Sequence, residues 1–233
     1  MNFRALTYAG HSVIFVETDS FQIAIDPWLG NPNCPPQLKT PKNLGLIVLT
    51  HGHEDHAGGA AELAKKTGAK IAATYELACL MAAEGVAQDK IIYMNKGGCT
   101  ERDGVTISLV HAQHSSSYDT PKGPVYAGEA CGVVVKDGKH SIYHAGDTGV
   151  FSDMKLIAEI HRPTVAILPI GDGFTMGPKD AARAAGFIGA PVAIPVHYGT
   201  FPNLTGTPEK FIQACSGLPV KVHVLAPGES HNL

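Results

Sequence analysis

One short segment constrains this chain more than any other feature of its sequence: Thr50-His51-Gly52-His53-Glu54-Asp55-His56. Three histidines and an aspartate fall within the six residues 51–56. The apolar run before it, residues 44–50, is typical of a strand buried on both faces, and residues 57–67 after it have a helical composition that ends at Gly68. Imidazole and carboxylate groups are ligands that divalent transition metals prefer. The segment therefore predicts a metal-binding loop between a buried strand and a helix.

The spacing inside this loop suggests two metal ions. A tight turn at Gly52 would let His51 and His53 converge on one ion, and Asp55 and His56 at the start of the helix could face a second. Two ions need more ligands than one motif supplies. A lone histidine at a strand end is more often structural, but three further candidates occur together with this loop, each at the end of a predicted strand: His114, Asp147 and His197.

Short apolar strands alternate with helices along the chain, which predicts an α/β protein whose helices cover its sheets. A weak internal repeat supports this organisation. Tyr8-Ala9-Gly10 and Tyr126-Ala127-Gly128 each precede a predicted hairpin, and each hairpin is followed by a buried strand, a Gly-containing loop, a helix and another strand. We therefore expect a single domain over residues 1–233, built from two similar halves of roughly 1–100 and 101–233. A chance recurrence of Gly-rich turns is the alternative.

Composition excludes several classes of protein. The chain is 44% hydrophobic and 17% charged, so it can bury a core and is not intrinsically disordered. No apolar run approaches the ~18 residues of a membrane span, and the first residues do not form a signal peptide, so a cytoplasmic protein is expected. The net charge is −3 without a basic run, so no nucleic-acid partner is expected. The five cysteines include no CxxC pair and indicate neither a disulfide framework nor a zinc ribbon.

The loop and the three later candidates together resemble the metallo-β-lactamase superfamily, in the hydrolase branch that carries a THxHxDH motif. The segments GHS, IDPWLGNP, AQHSS, AGDTGVF, GDGFTMGP and PVHYGTFP further resemble a family of small prokaryotic metal-dependent hydrolases. That family is similar to the ascorbate-phosphate lactonases and to N-acyl-phosphatidylethanolamine phospholipase D. The resemblance implies a four-layer αββα sandwich. It constrains the substrate poorly, because one fold hosts many reactions.

Carried over by position, the resemblance implies a ligand set for two divalent ions. One ion would be bound by His51, His53 and His114, the other by Asp55, His56 and His197, and Asp147 would bridge the two. A set of nitrogen and carboxylate ligands favours Zn²⁺, with Mn²⁺, Fe²⁺ or Ni²⁺ as alternatives. No cysteine falls at a ligand position, unlike the site of many true β-lactamases.

The resemblance also implies hydrolysis of a small phosphodiester, lactone or other acyl substrate. Two ions about 3.5–4 Å apart can share a hydroxide, which is the predicted nucleophile. Asp55 is predicted to orient it and take its proton, and His11 to act as a substrate contact or proton donor, a surface turn histidine being the alternative. Asp26 either fixes a ligand imidazole or is a structural turn acid. Asp172 and Thr175 are predicted to line the opposite wall of the pocket.

Three other functions remain open. A nuclease of the same fold is disfavoured by the negative charge and the short chain. A non-catalytic metal-binding protein is disfavoured by the complete ligand set with Asp55 retained, and a glyoxalase-type thioesterase by the lack of a C-terminal helical region. The Pro-rich segment 31–41 cannot be regular structure and is predicted to form a rim or subunit contact, compatible with a homo-oligomer.

Overall fold

A computed structural model describes residues 1–233. The strands are β1 (Phe3–Tyr8), β2 (Ile14–Thr18), β3 (Gln22–Ile25), β4 (Leu44–Val48), β5 (Lys70–Thr74), β6 (Ile91–Met94), β7 (Cys99–Arg102), β8 (Val105–His111), β9 (Ser117–Thr120), β10 (Gly123–Tyr126), β11 (Cys131–Lys136), β12 (Ser141–His144), β13 (Val165–Pro169), β14 (Val192–Val196), β15 (Lys221–Val222) and β16 (Ser230–Asn232). The helices are α1 (Glu54–Ala57), α2 (Ala60–Thr67), α3 (Tyr75–Ala83), α4 (Met154–His161), α5 (Pro178–Ile188) and α6 (Pro208–Ala214).

The structure has two seven-stranded sheets, and their central strands pair in the same succession of antiparallel and parallel contacts. The first runs β16-β1-β2-β3-β4-β5-β6 and the second β15-β14-β13-β12-β11-β8-β7. From β1 to β6, two antiparallel pairings are followed by three parallel ones. The same order recurs from β8 through β11 to β15. The C-terminal strand β16 joins the first sheet beside β1, so the last residues pack with the N-terminal part of the chain. The division of the chain into two similar halves near residue 100 stays a prediction.

Alternating side chains on the central strands build a core on both faces of each sheet. On β2, Ile14 and Val16 face the space between the sheets, where they join Val133 and Val135 of β11, and Phe15 faces the other way. Helices α1 to α3 cover the outer face of the first sheet and helices α4 to α6 that of the second. Fully burying one such side chain stabilises the fold by about 1.5–3 kcal/mol. The predicted order of four layers, αββα, is confirmed.

Several local predictions need correction. The helix predicted over 57–67 begins only at Ala60, as α2, because Gly59 before it has a left-handed backbone (φ 77°), and Ala57 is instead the last residue of the separate helix α1. The Pro-rich segment 31–41 contains one turn of 3₁₀ helix at Pro36–Leu38, so the expectation that it lacks regular structure is wrong there. The sequence also predicts helices at Tyr75–Ala83 and Pro178–Ile188, and the structure has helices with these limits. No helix is both long and apolar enough to cross a membrane.

Candidate metal centre

Polar residues from both sheets meet where the central strands end. The sequence-predicted residues concerned follow β1, β3, β4, β8, β12 and β14 in chain order: His11, Asp26, the loop 51–56, His114, Asp147 and His197. Loops at strand ends are held by the rigid sheet beneath them. The fold therefore gathers into one place side chains that are far apart in the sequence.

Asp147 lies at the centre of this cluster. Its Oδ1 is 3.2 Å from Nε2 of His56, and its Oδ2 is 3.1 Å from Nε2 of His197 and 3.7 Å from Nε2 of His114. The Asp147 side chain is 3% exposed, so the carboxylate faces these imidazoles rather than solvent. One carboxylate therefore contacts histidines from three separate loops.

The remaining donors form two groups around Asp147. The ligand atoms of His51, His53 and His114 lie within 4.8 Å of one another. So do those of His11, Asp55, His56 and His197, with Oδ2 of Asp55 lying 3.6 Å from Nε2 of His197. All seven residues predicted to bind metal are thus brought together, and His11 joins the second group.

The backbone at Gly52 makes this convergence sterically feasible. A Cβ atom at position 52 would lie 2.6 Å from Cβ of Ala127 and 2.8 Å from the carbonyl oxygen of Ser117, closer than real Cβ contacts. The Gly52 N–H donates to Oγ of Ser116, 3.1 Å away. The loop therefore packs tightly against the segment that leads into the β9–β10 hairpin, and only glycine fits there.

Asp26 fixes the orientation of two imidazoles, that of His56 directly and that of His51 through Thr50. Its carboxylate accepts hydrogen bonds from Nδ1 of His56 (2.7 Å) and from the Thr50 hydroxyl (2.6 Å). The Thr50 hydroxyl in turn lies 2.9 Å from Nδ1 of His51, and since its proton is given to Asp26 it accepts from that nitrogen. When neutral, His51 and His56 therefore both carry their proton on Nδ1. Each ring directs a free Nε2 lone pair into the cluster.

The donors fit a bound cation because ring nitrogens and carboxylate oxygens converge in one place, with separations of 2.9–3.7 Å. Nε2 of His51 and Nδ1 of His53 are 2.9 Å apart. Nε2 of His56, Oδ1 of Asp147 and both ring nitrogens of His197 are buried and make no hydrogen bond. Buried polar atoms without partners cost about 1–3 kcal/mol each, so such a concentration is rare in a folded protein. Nitrogen and carboxylate oxygen donors are the set that Zn²⁺ and related divalent ions take.

The electrostatics of the cation-free protein also show that this cluster needs positive charge. Burial alone would raise the pKa of Asp147, but the charges of His56 and His197 outweigh it and hold that pKa well below its usual range. Burial would lower the pKa of His197, but Asp147 and Asp55 raise it to about 9. Burial beside His56 holds the pKa of His51 well below its usual value. Protons on His56 and His197 therefore supply the positive charge that stabilises the ionised carboxylates around them, above all that of Asp147.

His11 lies deeper than a surface turn histidine. Its side chain is fully buried, and Nε2 lies 3.0 Å from Oδ2 of Asp55. Burial lowers the pKa of His11 to about 4, although the hydrogen bond to Asp55 acts in the opposite direction. The imidazole is therefore neutral near pH 7, and its role as a substrate contact or proton donor stays a prediction.

Asp172 and Thr175 do not contact the cluster. Asp172 lines a separate cleft of about 780 Å³ with residues of α5 and α6. The Thr175 hydroxyl donates only to the carbonyl of Met176, 3.4 Å away. Their loop does approach the site through its backbone, since a Cβ at Gly171 would meet the carbonyl oxygen of His197. The placement of the two side chains on the pocket wall stays a prediction.

Comparison with known proteins identifies the family. Over residues 22–198 the chain matches the Beta-lactamase superfamily domain. It is 44% identical over 231 residues to a UPF0173 metal-dependent hydrolase of Koribacter versatilis, and the match covers 97% of this chain and 96% of that relative. The chain belongs to the UPF0173 metal-dependent hydrolase family. The resemblance to the metallo-β-lactamase superfamily is thereby confirmed, whereas the narrower similarity to lactonases and phospholipase D stays a prediction.

Solved structures agree with this UPF0173 assignment. The chain superposes with a TM-score of 0.88 and 39% identity on Igni18, a metallo hydrolase from the archaeon Ignicoccus hospitalis, over 100% of this chain and 99% of that one. The metallo-beta-lactamase fold protein YhfI from Bacillus subtilis matches over the whole of both chains with a TM-score of 0.73 and 14% identity, and so shows the fold alone. The predicted metallo-β-lactamase fold is confirmed.

Some residues around this UPF0173 site were not found by sequence reasoning. Thr50 links His51 to Asp26, and Thr200 lies 3.0 Å from Nδ1 of His11. Trp28 and Phe201 stack on each other at 5.9 Å and shield the imidazole of His11. Thr50 is the first residue of the motif and could have been found there, whereas Thr200 lies in the segment PVHYGTFP with nothing to indicate its role. A cleft of about 400 Å³ borders His114 and is lined on its far side by Lys96 and His111.

Proposed function

We propose that this chain is a dinuclear metal-dependent hydrolase acting on a small phosphodiester, lactone or other acyl substrate. The observation that carries the proposal is the set of buried, unpartnered donor atoms on His56, His197 and Asp147, which face one another across distances of 3.1–3.2 Å. Structural ion pairs in protein interiors normally complete their hydrogen bonds. A set of incomplete ones, beside a second group of three histidines, fits a site made for two cations.

The donor groups divide between two ions. His51, His53 and His114 would hold one, Asp55, His56 and His197 the other, and Asp147 would contact both. Zn²⁺ suits this nitrogen and carboxylate set, with Mn²⁺, Fe²⁺ or Ni²⁺ as alternatives. When bound, such a pair supplies an activated water at neutral pH and Lewis acidity for the bond under attack.

Asp55 is the group best placed to handle a proton. Its side chain is 25% exposed, whereas Asp147 is 3% exposed and Asp26 is fully buried. Oδ2 of Asp55 faces His11 and His197, and Oδ1 makes no hydrogen bond within the chain. Oδ1 can therefore orient a water molecule at the open side of the cluster and accept its proton.

The charge distribution favours a small substrate over a nucleic acid. The net charge is −3, and the cleft beside His114 contains one lysine, which is paired with Glu129. Binding a polynucleotide needs several unpaired cationic side chains along its backbone. A compact substrate with one electrophilic phosphorus or carbonyl carbon makes no such demand.

The direct test compares metal-free and metal-loaded protein. We expect chelator-treated protein to be inactive, and protein reloaded with Zn²⁺ or Mn²⁺ to hold close to two ions per chain by plasma mass spectrometry. Loaded protein should hydrolyse at least one of bis(p-nitrophenyl) phosphate, a lactone panel or a thioester panel. Fewer than two ions would contradict the dinuclear site. Two ions without turnover would support a non-catalytic metal protein, and degradation of single-stranded RNA at physiological salt would support a nuclease.

One variant separates metal binding from proton transfer. Asp55→Asn keeps an oxygen ligand but removes the proton acceptor, so at saturating metal we expect two ions per chain, with weaker binding of the second, and turnover lower by about 10²–10⁴-fold. Asp89→Asn, an exposed acid in a distant 3₁₀ turn, is the matched control. Wild-type turnover by Asp55→Asn would rule out the role proposed for Asp55.

A further inference from the structure

The ring of His11 makes two hydrogen bonds that connect the site to a segment with no assigned role. Nε2 lies 3.0 Å from Oδ2 of Asp55, and Nδ1 lies 3.0 Å from Oγ1 of Thr200. Thr200 is 189 positions away in the sequence, in the segment after β14. Both nitrogens are thus occupied, in contrast to Nε2 of His56 and both ring nitrogens of His197, which make no hydrogen bond.

The chemistry of the partners decides which nitrogen carries the proton. A carboxylate only accepts, so Nε2 must donate to Asp55, and Nδ1 of the neutral ring is then an acceptor. Thr200 can donate its hydroxyl proton to Nδ1, and its other acceptor, the carbonyl of Tyr198, is more distant at 3.4 Å. The direction of donation therefore runs from Thr200 through His11 to Asp55.

The main chain of His11 also holds His197, which belongs to the same group of donors as Asp55. Its carbonyl oxygen accepts the backbone N–H of His197, 2.8 Å away. Both residues have left-handed backbones, with φ of 53° at His11 and 58° at His197, a conformation that non-glycine residues adopt only when neighbouring contacts impose it. One residue from the first sheet thereby positions Asp55 with its side chain and His197 with its main chain.

Packing prevents the imidazole from turning away. The ring contacts Trp28 edge-on at 5.2 Å and Phe201 at 5.5 Å, and its side chain has no exposed surface. Because Phe201 directly follows Thr200, the same short segment both packs against the ring and supplies its hydrogen-bond donor. A buried ring with both nitrogens occupied cannot reach a substrate.

We propose that His11 is a positioning residue, and that the Thr200 hydroxyl, by donating to Nδ1, holds the ring in the orientation that keeps Asp55 and His197 in place for the second cation. This inference rests on the proposed function, since it assigns Asp55 and His197 to one of two metal sites. It replaces the proton-donor role considered for His11 and brings Thr200 into the site. Groups that orient metal ligands typically change metal affinity by about 10–100-fold.

The first test follows binding of each cation separately. Metal-free wild-type, Thr200→Val and Thr205→Val proteins are titrated with Co²⁺, whose visible absorption reports each site. Thr205 is exposed on the same segment, and its hydroxyl makes no hydrogen bond. We expect Thr200→Val to weaken one of the two binding steps by about tenfold or more, with the other step and all Thr205→Val values unchanged. Two wild-type steps in Thr200→Val would overturn the inference.

A combination of variants tests whether Thr200 acts through His11. His11→Gln keeps an amide N–H that can reach Asp55 but places no acceptor at the position of Nδ1, so it should recover part of the Co²⁺ affinity lost in His11→Ala. Adding Thr200→Val to His11→Gln should then cause no further loss. A further loss of the same size as in Thr200→Val alone would show that Thr200 acts independently of His11, and would overturn the inference.

Nuclear magnetic resonance of the imidazole tests the inference without any metal. In ¹⁵N-labelled metal-free protein we expect the proton of His11 on Nε2, and a change in the Nδ1 shift in Thr200→Val. A proton on Nδ1 in wild type would overturn the inference even if two ions bind. Conversely, the expected tautomer in a protein that binds only one ion would contradict the dinuclear function while leaving the contact between Thr200, His11 and Asp55 established.

Discussion

Nε2 of His56 and Oδ1 of Asp147 lie 3.2 Å apart in the interior, and neither atom makes a hydrogen bond. His56 gives its Nδ1 proton to Asp26, so the neutral ring presents a lone pair to a carboxylate that also presents lone pairs. Two acceptors at this distance repel each other unless a positive charge lies nearby. In the cation-free protein a proton on His56 supplies that charge, and a bound cation would take its place.

Replacing Asp147 by Asn should impair both cation sites at once. Asp147 lies within 3.7 Å of imidazoles in both donor groups, and the substitution removes the negative charge that attracts the cations. Groups that merely orient a ligand change metal affinity by about 10–100-fold, and we expect a larger loss here. Competition against a chromophoric chelator measures this, with Asp89→Asn as control. Retention of two ions at wild-type affinity would remove Asp147 from the ligand set.

Asp26→Asn should weaken metal binding and also destabilise the metal-free protein. The buried carboxylate accepts from the Thr50 backbone N–H, the Thr50 hydroxyl and His56, and an amide has only one acceptor oxygen to offer them. Each buried donor left without a partner costs about 1–3 kcal/mol. Urea unfolding of the metal-free variant measures this loss.

The matched control for Asp26→Asn is Asp153→Asn, which changes an exposed acid at the start of α4. Its free energy of unfolding should stay within about 0.5 kcal/mol of wild type. If metal-free Asp26→Asn were equally stable, Asp26 would be a simple turn acid rather than a group that orients His56.

Gly52→Ala tests the packing of the metal-binding loop. The new methyl group would lie 2.6 Å from Cβ of Ala127, so the loop must move away from the segment before β11. We expect a loss of stability of about 1–3 kcal/mol and weaker metal binding, because His51 and His53 flank the displaced residue. Gly30→Ala is the control, since the nearest atom to its new Cβ is 3.6 Å away. Equal behaviour of the two variants would contradict a steric role for Gly52.

The parts of the fold that sequence predicted are those whose signal is local. The buried strand β4 and the helix α5 follow from apolar runs and from the proline and glycine that bound them. The donors were recognisable because His51 to His56 form one compact motif and the others directly follow apolar strands. Residue type and strand position together gave enough information to place them in one cluster.

The parts that sequence missed depend on contacts between distant segments. Strand β16 is a polar tripeptide that becomes a strand only because it pairs with Leu6 and its neighbours on β1. The hairpin β9–β10 is mostly exposed and contains Pro124, so it has no alternating apolar pattern. The bond between His11 and Thr200 joins the two sheets, and neither residue lies in a motif that predicts the other.

Asp137 provides a prediction about pH that does not depend on metal. Its side chain, shielded from solvent, accepts from the backbone N–H groups of Phe3, Lys139 and His140, and so ties β1 of one sheet to the turn after β11 of the other. Burial would raise the pKa of Asp137, but these hydrogen bonds outweigh it and lower the pKa to about 2. The unfolded chain has the ordinary value of about 3.9.

A depressed pKa in the folded state stabilises the protein above the unfolded value, and this stabilisation is lost as the pH falls through the folded value. Asp137→Asn should therefore be less stable than wild type at pH 7, by about 1–3 kcal/mol for the bonds it weakens. The difference between the two proteins should shrink as the pH falls from about 4 towards 2, near the lowered pKa. Urea unfolding of both metal-free proteins at several pH values measures it, and a difference that stays constant down to pH 2 would show that the charge of Asp137 contributes nothing.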